Sequence, residues 1–312
     1  MEWPPDAPRS TSGERVAVVV VNHNTRRRIA ELLFSLYRVL GRDQFAVVVV
    51  VDNASTDGSL ELLGALHDAQ LIHLIANERP RYHGSGLNQA VSRLASRQAG
   101  VSKADRIDYV WALDSDTLIL RRDAVRDALA TLDQLNSAIV GESFGERDRY
   151  DHLTPATLML EPRLVWRRPV APFSDDGNPE RRLLETATDA GLKPAPFHFL
   201  HHSYVLHLGG ATMIEIAERE PSNRFYVWAQ RDLGGQRDFT YIGHPLGPRL
   251  HAELRSAYER EIPDDTPQQV TEACSREELI VIRDARPLPP IEVLQRLYDE
   301  GEDLAEYVLR NA

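Results

Sequence analysis

Short apolar runs alternate with amphipathic segments over the first part of the chain, and this alternation constrains the fold more than any other feature. Val16 to Val21 is a nearly pure valine run, typical of a strand covered on both faces. The segment that follows carries leucine and isoleucine at helical spacing. The predicted strands are Val16–Val21, Phe45–Val51, Leu71–Ala76 and Tyr109–Leu113, and the predicted helices are Arg27–Leu40, Ser59–Leu66, Leu87–Ala99 and Arg122–Leu135. This order predicts an α/β fold with a mostly parallel, helix-flanked sheet.

The pattern is less regular after Glu142. Its short apolar runs predict further strands, and turn-forming residues predict a loop before another helix. The predicted elements are strands Thr157–Leu160, Leu164–Trp166 and Tyr204–Leu208, a loop Asp175–Pro179, a helix Arg182–Ala190 and a helical tail Pro289–Arg310.

Composition excludes some classes of partner. The net charge of −11 argues against nucleic acid, whose phosphates are bound mainly by clustered Lys and Arg. The only tight basic cluster, Arg26 to Arg28, is expected to be a solvated helix start. No apolar run is long enough to span a membrane, so we expect no membrane insertion. The single cysteine, Cys274, excludes an intramolecular disulfide and suits a cytoplasmic location.

Polar clusters follow each of the first four predicted strands. In an open parallel sheet, ligands bind beyond the carboxyl ends of the strands, so these clusters are expected to share one crevice. Each cluster by itself is also compatible with turn or helix-cap chemistry. The clusters are Asn22-His23-Asn24, Asp52 to Gly58, Asn77-Glu78 and Asp114-Ser115-Asp116.

Asp114 and Asp116 form a candidate metal site. Residues two apart in extended chain point to the same side, so both carboxylates can face one cation. Oxygen ligands suit Mg²⁺ or Mn²⁺, although two solvated acids in a loop give the same pattern. Asp52 emerges at the same edge, where it can accept a hydrogen bond from a nucleobase N–H or cap a helix. Gly84 to Gly86 precedes a predicted helix start, which favours either an anion site or a simple turn.

In their order and spacing, these motifs resemble the family 2 glycosyltransferases of the GT-A fold over roughly residues 15 to 125. The resemblance implies inverting transfer of a sugar from a nucleoside diphosphate donor, with a UDP-sugar favoured, and a divalent cation, Mn²⁺ or Mg²⁺. Asp52 would contact the base, and Asp116 would contact the metal more directly than Asp114. The other residues implied on the donor side are Asn22, Asn24, Asn77, Gly84, Asn88 and Ser115.

The second half resembles the family less closely. His207 lies in a Tyr204 to Gly210 segment similar to a His-Gly-Gly segment of some members, which implies a third metal ligand or a diphosphate contact. An ordinary hydrogen-bonded strand histidine is the alternative. Inverting transfer needs a base for the acceptor hydroxyl. The resemblance implies an acid after the metal motif; we select Asp176, with Asp175 and Glu180 as alternatives, although Asp175 and Asp176 also suit a cap of the Arg182 helix.

The chain is therefore divided into a flexible tail (1–14), a nucleotide-sugar-binding half (15–141), an acceptor-binding and catalytic half of the same domain (142–285) and a C-terminal helical extension (286–312). The acceptor is left open among a small molecule, a protein and an oligosaccharide, and a homodimer is also left open. Two other functions are retained: a nucleotidyltransferase, and a non-catalytic nucleotide-sugar-binding protein of the same fold.

Overall fold

The computed structural model describes residues 13–98, 102, 106–143, 153–165, 172–175, 179–200, 204–207 and 262–276. Most of the predicted tail, the helix expected over Pro289–Arg310 and the whole 286–312 extension lie outside these residues. In the described part of the chain, no helix is long and apolar enough to cross a membrane.

A seven-stranded sheet forms the centre of the fold, in the order β3-β2-β1-β4-β7-β6-β8. Strands β1 to β4 are mutually parallel where they pair, β7 runs antiparallel to β4 and β6, and β8 is parallel to β6. A separate two-stranded antiparallel sheet pairs β5 with β9. The strands are β1 Val16–Asn22, β2 Val47–Asp52, β3 His73–Ala76, β4 Tyr109–Asp114, β5 Thr117–Ile119, β6 Ile139–Ser143, β7 Leu153–Leu160, β8 Ala195–Pro196 and β9 Val205–His207.

Helices cover both faces of the sheet. The valines of β1 alternate between two apolar cores: Val18 and Val20 pack with α1 and α4, whereas Val19 and Val21 pack with α3 and α6. This burial on both faces explains the near-continuous apolar sequence of β1. The helices are α1 Arg26–Ser35, continued by a π-helical turn Leu36–Leu40 and a 3₁₀ turn Arg42–Gln44, then α2 Ser59–Asp68, α3 His83–Gln98, α4 Ala124–Gln134, α5 Pro162–Val165, α6 Arg181–Asp189 and α7 Pro267–Ser275.

The predicted α/β class, with its mostly parallel and helix-flanked sheet, is confirmed. Two local predictions are wrong. The strand expected at Leu164–Trp166 is occupied by the short helix α5 as far as Val165, because a three-residue apolar run fits either periodicity and Pro162 is favourable in a first helical turn. Helix α3 begins at His83, not Leu87, so Gly84 to Gly86 lie inside its first turn.

Asp57 joins the starts of two helices. Its Oδ2 accepts a hydrogen bond from the backbone N–H of Arg26 at 2.8 Å, at the start of α1. Its Oδ1 accepts from the backbone N–H of Ser59 at 3.0 Å, at the start of α2. A carboxylate at a helix N-terminus satisfies otherwise unpaired N–H groups and interacts favourably with the helix dipole. The polar run after β2 thus aligns α1 and α2 at the carboxyl edge of the sheet.

The basic cluster at the start of α1 is not simply solvated, contrary to the sequence prediction. Arg27 donates to the carbonyl oxygen of Pro263 at 3.0 Å, and Arg26 donates to that of Asp265 at 3.1 Å. These residues lead into α7, which packs against α1 and α2. Guanidinium groups present several donors in a fixed geometry, so neighbouring arginines can hold a returning segment. The cluster anchors a distant part of the chain.

Candidate active site

The order in which successive strands are added to the sheet reverses at β1. Strands β2 and β3 extend from one side of β1, whereas β4 lies on the other side. This is the arrangement at which open parallel sheets bind ligands. The register aligns Asn22 with Asp52, and Val21 with Asp114. The polar residues expected to converge are therefore at neighbouring strand ends.

Asp114, Asp116 and His207 form one cluster, with a ligand atom of each within 4.8 Å of the others. Asp114 ends β4, and Asp116 follows in the turn to β5. The pairing of β5 with β9 sets Thr117 opposite His207, which brings the histidine beside the two acids. His207 Nε2 is 3.1 Å from Asp116 Oδ1 and 3.4 Å from Asp114 Oδ2. The two carboxylates suit Mn²⁺ or Mg²⁺, and an imidazole beside them is acceptable to Mn²⁺.

The electrostatics of the cluster are those of a cation site. Burial lowers the pKa of His207, but the negative charge of Asp116, with hydrogen bonds to both acids, outweighs this and raises that pKa to about 10. The position between the carboxylates therefore strongly favours positive charge. A metal ion bound by the same three groups would satisfy that preference in place of the imidazole proton.

His83 is a further residue at this cluster that the sequence did not indicate. It is the first residue of α3, and its Nε2 lies 3.4 Å from Asp114 Oδ1. Asp114 is thus approached by one histidine at each carboxylate oxygen. The sequence prediction began this helix at Leu87, four residues after its actual start, and so assigned His83 to a loop.

At the end of β2, Asp52 is fully buried and hydrogen-bonded by its neighbours. Its Oδ1 accepts hydrogen bonds from Asn22 Nδ2 at 2.9 Å and from Ser55 Oγ at 2.6 Å. Its Oδ2 accepts from the backbone N–H of Ser55 at 3.0 Å. Such bonds compensate for the burial of a charged group. The contact between Asp52 and a nucleobase stays a prediction.

The same network extends to the other predicted residues of β1 and β4. Asn22 Oδ1 accepts from Thr25 Oγ1 at 2.7 Å, and that hydroxyl lies 3.2 Å from Ser115 Oγ. Asn24, in the left-handed region at φ 52°, accepts from the backbone N–H of Thr56 at 2.7 Å. Asn22, Asn24 and Ser115 therefore occupy the predicted edge, and their contacts to a donor stay predictions.

Asn77 and Asn88 each make a reciprocal pair of hydrogen bonds with the protein. Asn77 exchanges bonds of 2.8 and 2.9 Å with Gln89 of α3. Asn88 donates to the carbonyl oxygen of Phe173 at 2.8 Å and accepts from the backbone N–H of Phe173 at 3.0 Å. Gly84 lies against the same segment, at Ser174. A role in donor binding for Gly84, Asn77 or Asn88 stays a prediction.

The candidate bases are placed differently from one another. Asp175 contacts the first turn of α3 through Ser85, rather than capping α6. Glu180 directly precedes α6, and it is 9% exposed. Asp176, the residue selected from the sequence, lies outside the described residues, as does the Gly209-Gly210 part of the histidine motif.

The described strands and helices have a GT-A arrangement, with a carboxylate pair at the end of β4 and a hydrogen-bonded polar network at the ends of β1 and β2. The model of the family described as "Glycosyl transferase family 2" matches residues 17–204. The chain therefore belongs to glycosyl transferase family 2. A search of curated proteins found no match in sequence.

Three solved structures are similar to this chain at low sequence identity. TarS (1–349) of S. aureus is 16% identical, with 92% of each chain covered and a TM-score of 0.46. The mannosyltransferase PcManGT of Pyrobaculum calidifontis, in complex with GDP-Man and Mn²⁺, is 21% identical, with 96% of this chain and 83% of that chain covered and a TM-score of 0.47. Glucosyl-3-phosphoglycerate synthase of Mycobacterium tuberculosis is 17% identical, with coverages of 59% and 70% and a TM-score of 0.42. The assignment to the family rests on the sequence match.

Proposed function

We propose that this glycosyltransferase moves a hexosyl group from a nucleoside diphosphate donor, a UDP-sugar, to an acceptor hydroxyl with inversion of configuration. The observation that carries the proposal is the Asp114–Asp116–His207 cluster at the carboxyl end of β4. The cluster lies beside the ends of β1 and β2, which carry the hydrogen-bonded network of Asn22, Asp52 and Ser55. A nucleoside diphosphate donor has its base at one end and its diphosphate at the other, so it needs two adjacent sites of this kind.

The three groups of the cluster would hold Mn²⁺ or Mg²⁺. When bound there, the ion supplies positive charge to stabilise the departing diphosphate, so that side of the reaction needs no general acid. Asp116 is 4% exposed and contacts His207, which keeps its carboxylate oriented. Asp114 is held from two sides by His83 and His207. These contacts support the proposal that the diphosphate end of a donor lies beside this cluster.

The nucleotide-side residues would position the base and ribose. Asp52 Oδ2 receives one hydrogen bond, from Ser55, and an oxygen of a carboxylate has room for a second. A nucleobase N–H is a donor of the right kind. The Thr25 hydroxyl contacts both Asn22 and Ser115, so it links the residues around Asp52 to the Asp114-Ser115-Asp116 motif.

Inversion requires direct attack by the acceptor hydroxyl on the anomeric carbon, while a carboxylate removes its proton. We propose Asp176 for this base, with Asp175 and Glu180 as the alternatives in the same segment. The acceptor, whether a small molecule, a protein or an oligosaccharide, would be bound by residues after Glu142.

A thermal-shift screen tests the donor site. UDP, GDP, UDP-GlcNAc and GDP-mannose are each added with and without Mn²⁺. A ligand at about a hundred times its dissociation constant stabilises the folded protein by roughly 2.7 kcal/mol. We expect the response to a uridine nucleotide to require Mn²⁺, and to be lost in Asp116→Asn but kept in the exposed control Asp133→Asn.

Turnover separates an enzyme from a binding protein. Release of UDP from the donor should depend on Mn²⁺ and stop in Asp116→Ala. Full turnover in EDTA would exclude the metal proposal. Binding without any turnover, with all acceptor classes supplied, would favour the non-catalytic alternative. The anomeric configuration of the product, read by NMR, decides between inversion and retention.

A further inference from the structure

The carboxylate of Asp175 is bound to the first turn of α3. Its Oδ1 accepts a hydrogen bond from the backbone N–H of Ser85 at 2.6 Å, and its Oδ2 accepts one from Ser85 Oγ at 2.5 Å. These two residues are 90 positions apart in the sequence. The first N–H groups of a helix have no partner within the helix, and they attract negative charge. Both oxygens of this acid are thus engaged by a single residue of α3.

Two further contacts hold the same segment against the same helix. Asn88, one turn after Ser85, exchanges two hydrogen bonds with the backbone of Phe173. Gly84 allows the close approach, because a Cβ there would lie 2.0 Å from the carbonyl oxygen of Ser174. Residues 173–175 therefore lie against α3 at three successive positions and are hydrogen-bonded to it at Phe173 and Asp175. We refer to this set of contacts as the α3 clamp.

The helix start that receives the clamp also reaches the metal cluster. His83 precedes Gly84 and Ser85 in the first turn of α3, and its imidazole contacts Asp114. The acid-bearing segment after Pro172 and the carboxylate at the end of β4 are consequently connected through three consecutive residues of one helix. A shift of the segment relative to α3 would change the distance between the proposed base and the donor.

We propose that Asp175 is a positioning residue and not the catalytic base. It fastens the segment that continues into Asp176 to the donor edge of the sheet. This inference rests on the proposed function, and it removes Asp175 from the three acids considered as the base. Asp176 and Glu180 remain.

Two substitutions of Asp175 separate positioning from proton transfer. In Asp175→Asn the amide oxygen can still accept from the Ser85 N–H, and the amide nitrogen can donate to Ser85 Oγ, so the clamp is retained without a base. Asp175→Ala removes both contacts. Ser85→Ala removes one contact from the other side, and Ser96→Ala, near the end of the same helix, is the matched control.

Release of UDP or GDP from UDP-GlcNAc or GDP-mannose is then compared. For a positioning role we expect Asp175→Ala to lose about tenfold, because it removes both hydrogen bonds of a solvent-exposed carboxylate, and Asp175→Asn to stay near wild type. A catalytic base would instead lose about 10²–10⁴-fold in both variants. Equal, large losses in both variants would overturn the proposal.

Hydrogen exchange provides a readout that does not depend on the enzymatic activity. Amides of residues 83–88 should exchange faster in Asp175→Ala, and at the wild-type rate in Asp175→Asn and Ser96→Ala. Unchanged exchange in Asp175→Ala would overturn the clamp. If wild type turns over no donor while exchange responds as expected, the proposed function fails and the clamp stands.

Discussion

Replacing Asn22 with alanine tests how far a single buried amide holds the nucleotide edge together. Asn22 has no exposed surface, and its amide bridges two strands by donating to the Asp52 carboxylate of β2 at 2.9 Å. Its oxygen accepts from Thr25, the residue before α1. The substitution removes these two bonds and a third of 3.2 Å from the same amide nitrogen to Ser55 Oγ, at a position with no exposed surface.

The expected loss can be worked out from these contacts. A hydrogen bond to a charged group contributes about 1.5–3 kcal/mol, and the Thr25 bond contributes about 1 kcal/mol. Thr25 still has Ser115 as a partner, which moderates the second loss. We therefore expect Asn22→Ala to lower the free energy of unfolding by about 2–4 kcal/mol. An exposed amide at the end of α4, in Gln134→Ala, should change it by less than about 0.5 kcal/mol.

Urea denaturation followed by tryptophan fluorescence measures these differences, provided that the m-value stays constant. A double-mutant cycle with Asp52→Asn isolates the charged contact. Loss of the amide should be less harmful when its partner is neutral, with an interaction energy of at least about 1 kcal/mol. Additive effects, or a cost for Asn22→Ala as small as that of Gln134→Ala, would refute this account of the edge.

Three other perturbations have expected outcomes. Burial, followed by the charge of Arg97, lowers the pKa of His73 to about 4. Unfolding therefore takes up a proton between about pH 6.5 and pH 4, and the free energy of unfolding falls as the pH falls through this range. Urea denaturation at pH 5 and pH 7 should show a smaller pH dependence for His73→Gln than for the wild type. Arg27→Met loses the hydrogen bond to the carbonyl oxygen of Pro263 that holds this segment against α1. Limited proteolysis should therefore cleave within residues 262–276 faster in this variant than in the wild type. Thr157→Val removes the partner of the buried Trp111 indole N–H and should cost about 1–3 kcal/mol of unfolding free energy in urea denaturation, but much less when it is made in a Trp111→Phe background that lacks this N–H.

The alternation of the first strands and helices along the chain, and the position of Asp114 and Asp116 at a strand end, were predictable because they depend on local patterns. A valine run buried on both faces marks a central strand, and the residues after it must lie at the carboxyl edge. The start of α3 was not predictable in the same way. Tyr82, the residue before α3, is not of a type that caps helices, and the first turn of α3 instead binds the carboxylate of Asp175, far along the chain.

The sequence by itself determined the α/β class, the edge at which polar residues converge and the two acids of the candidate metal site, since each follows from the pattern of a few adjacent residues. Tertiary structure decided which distant groups join them. His207 lies 91 residues from Asp116 and reaches it only through the pairing of β5 with β9. Asp175 reaches Ser85 only because Gly84 lets two backbones approach. Contacts of this kind depend on how separate elements pack, and no local pattern encodes them.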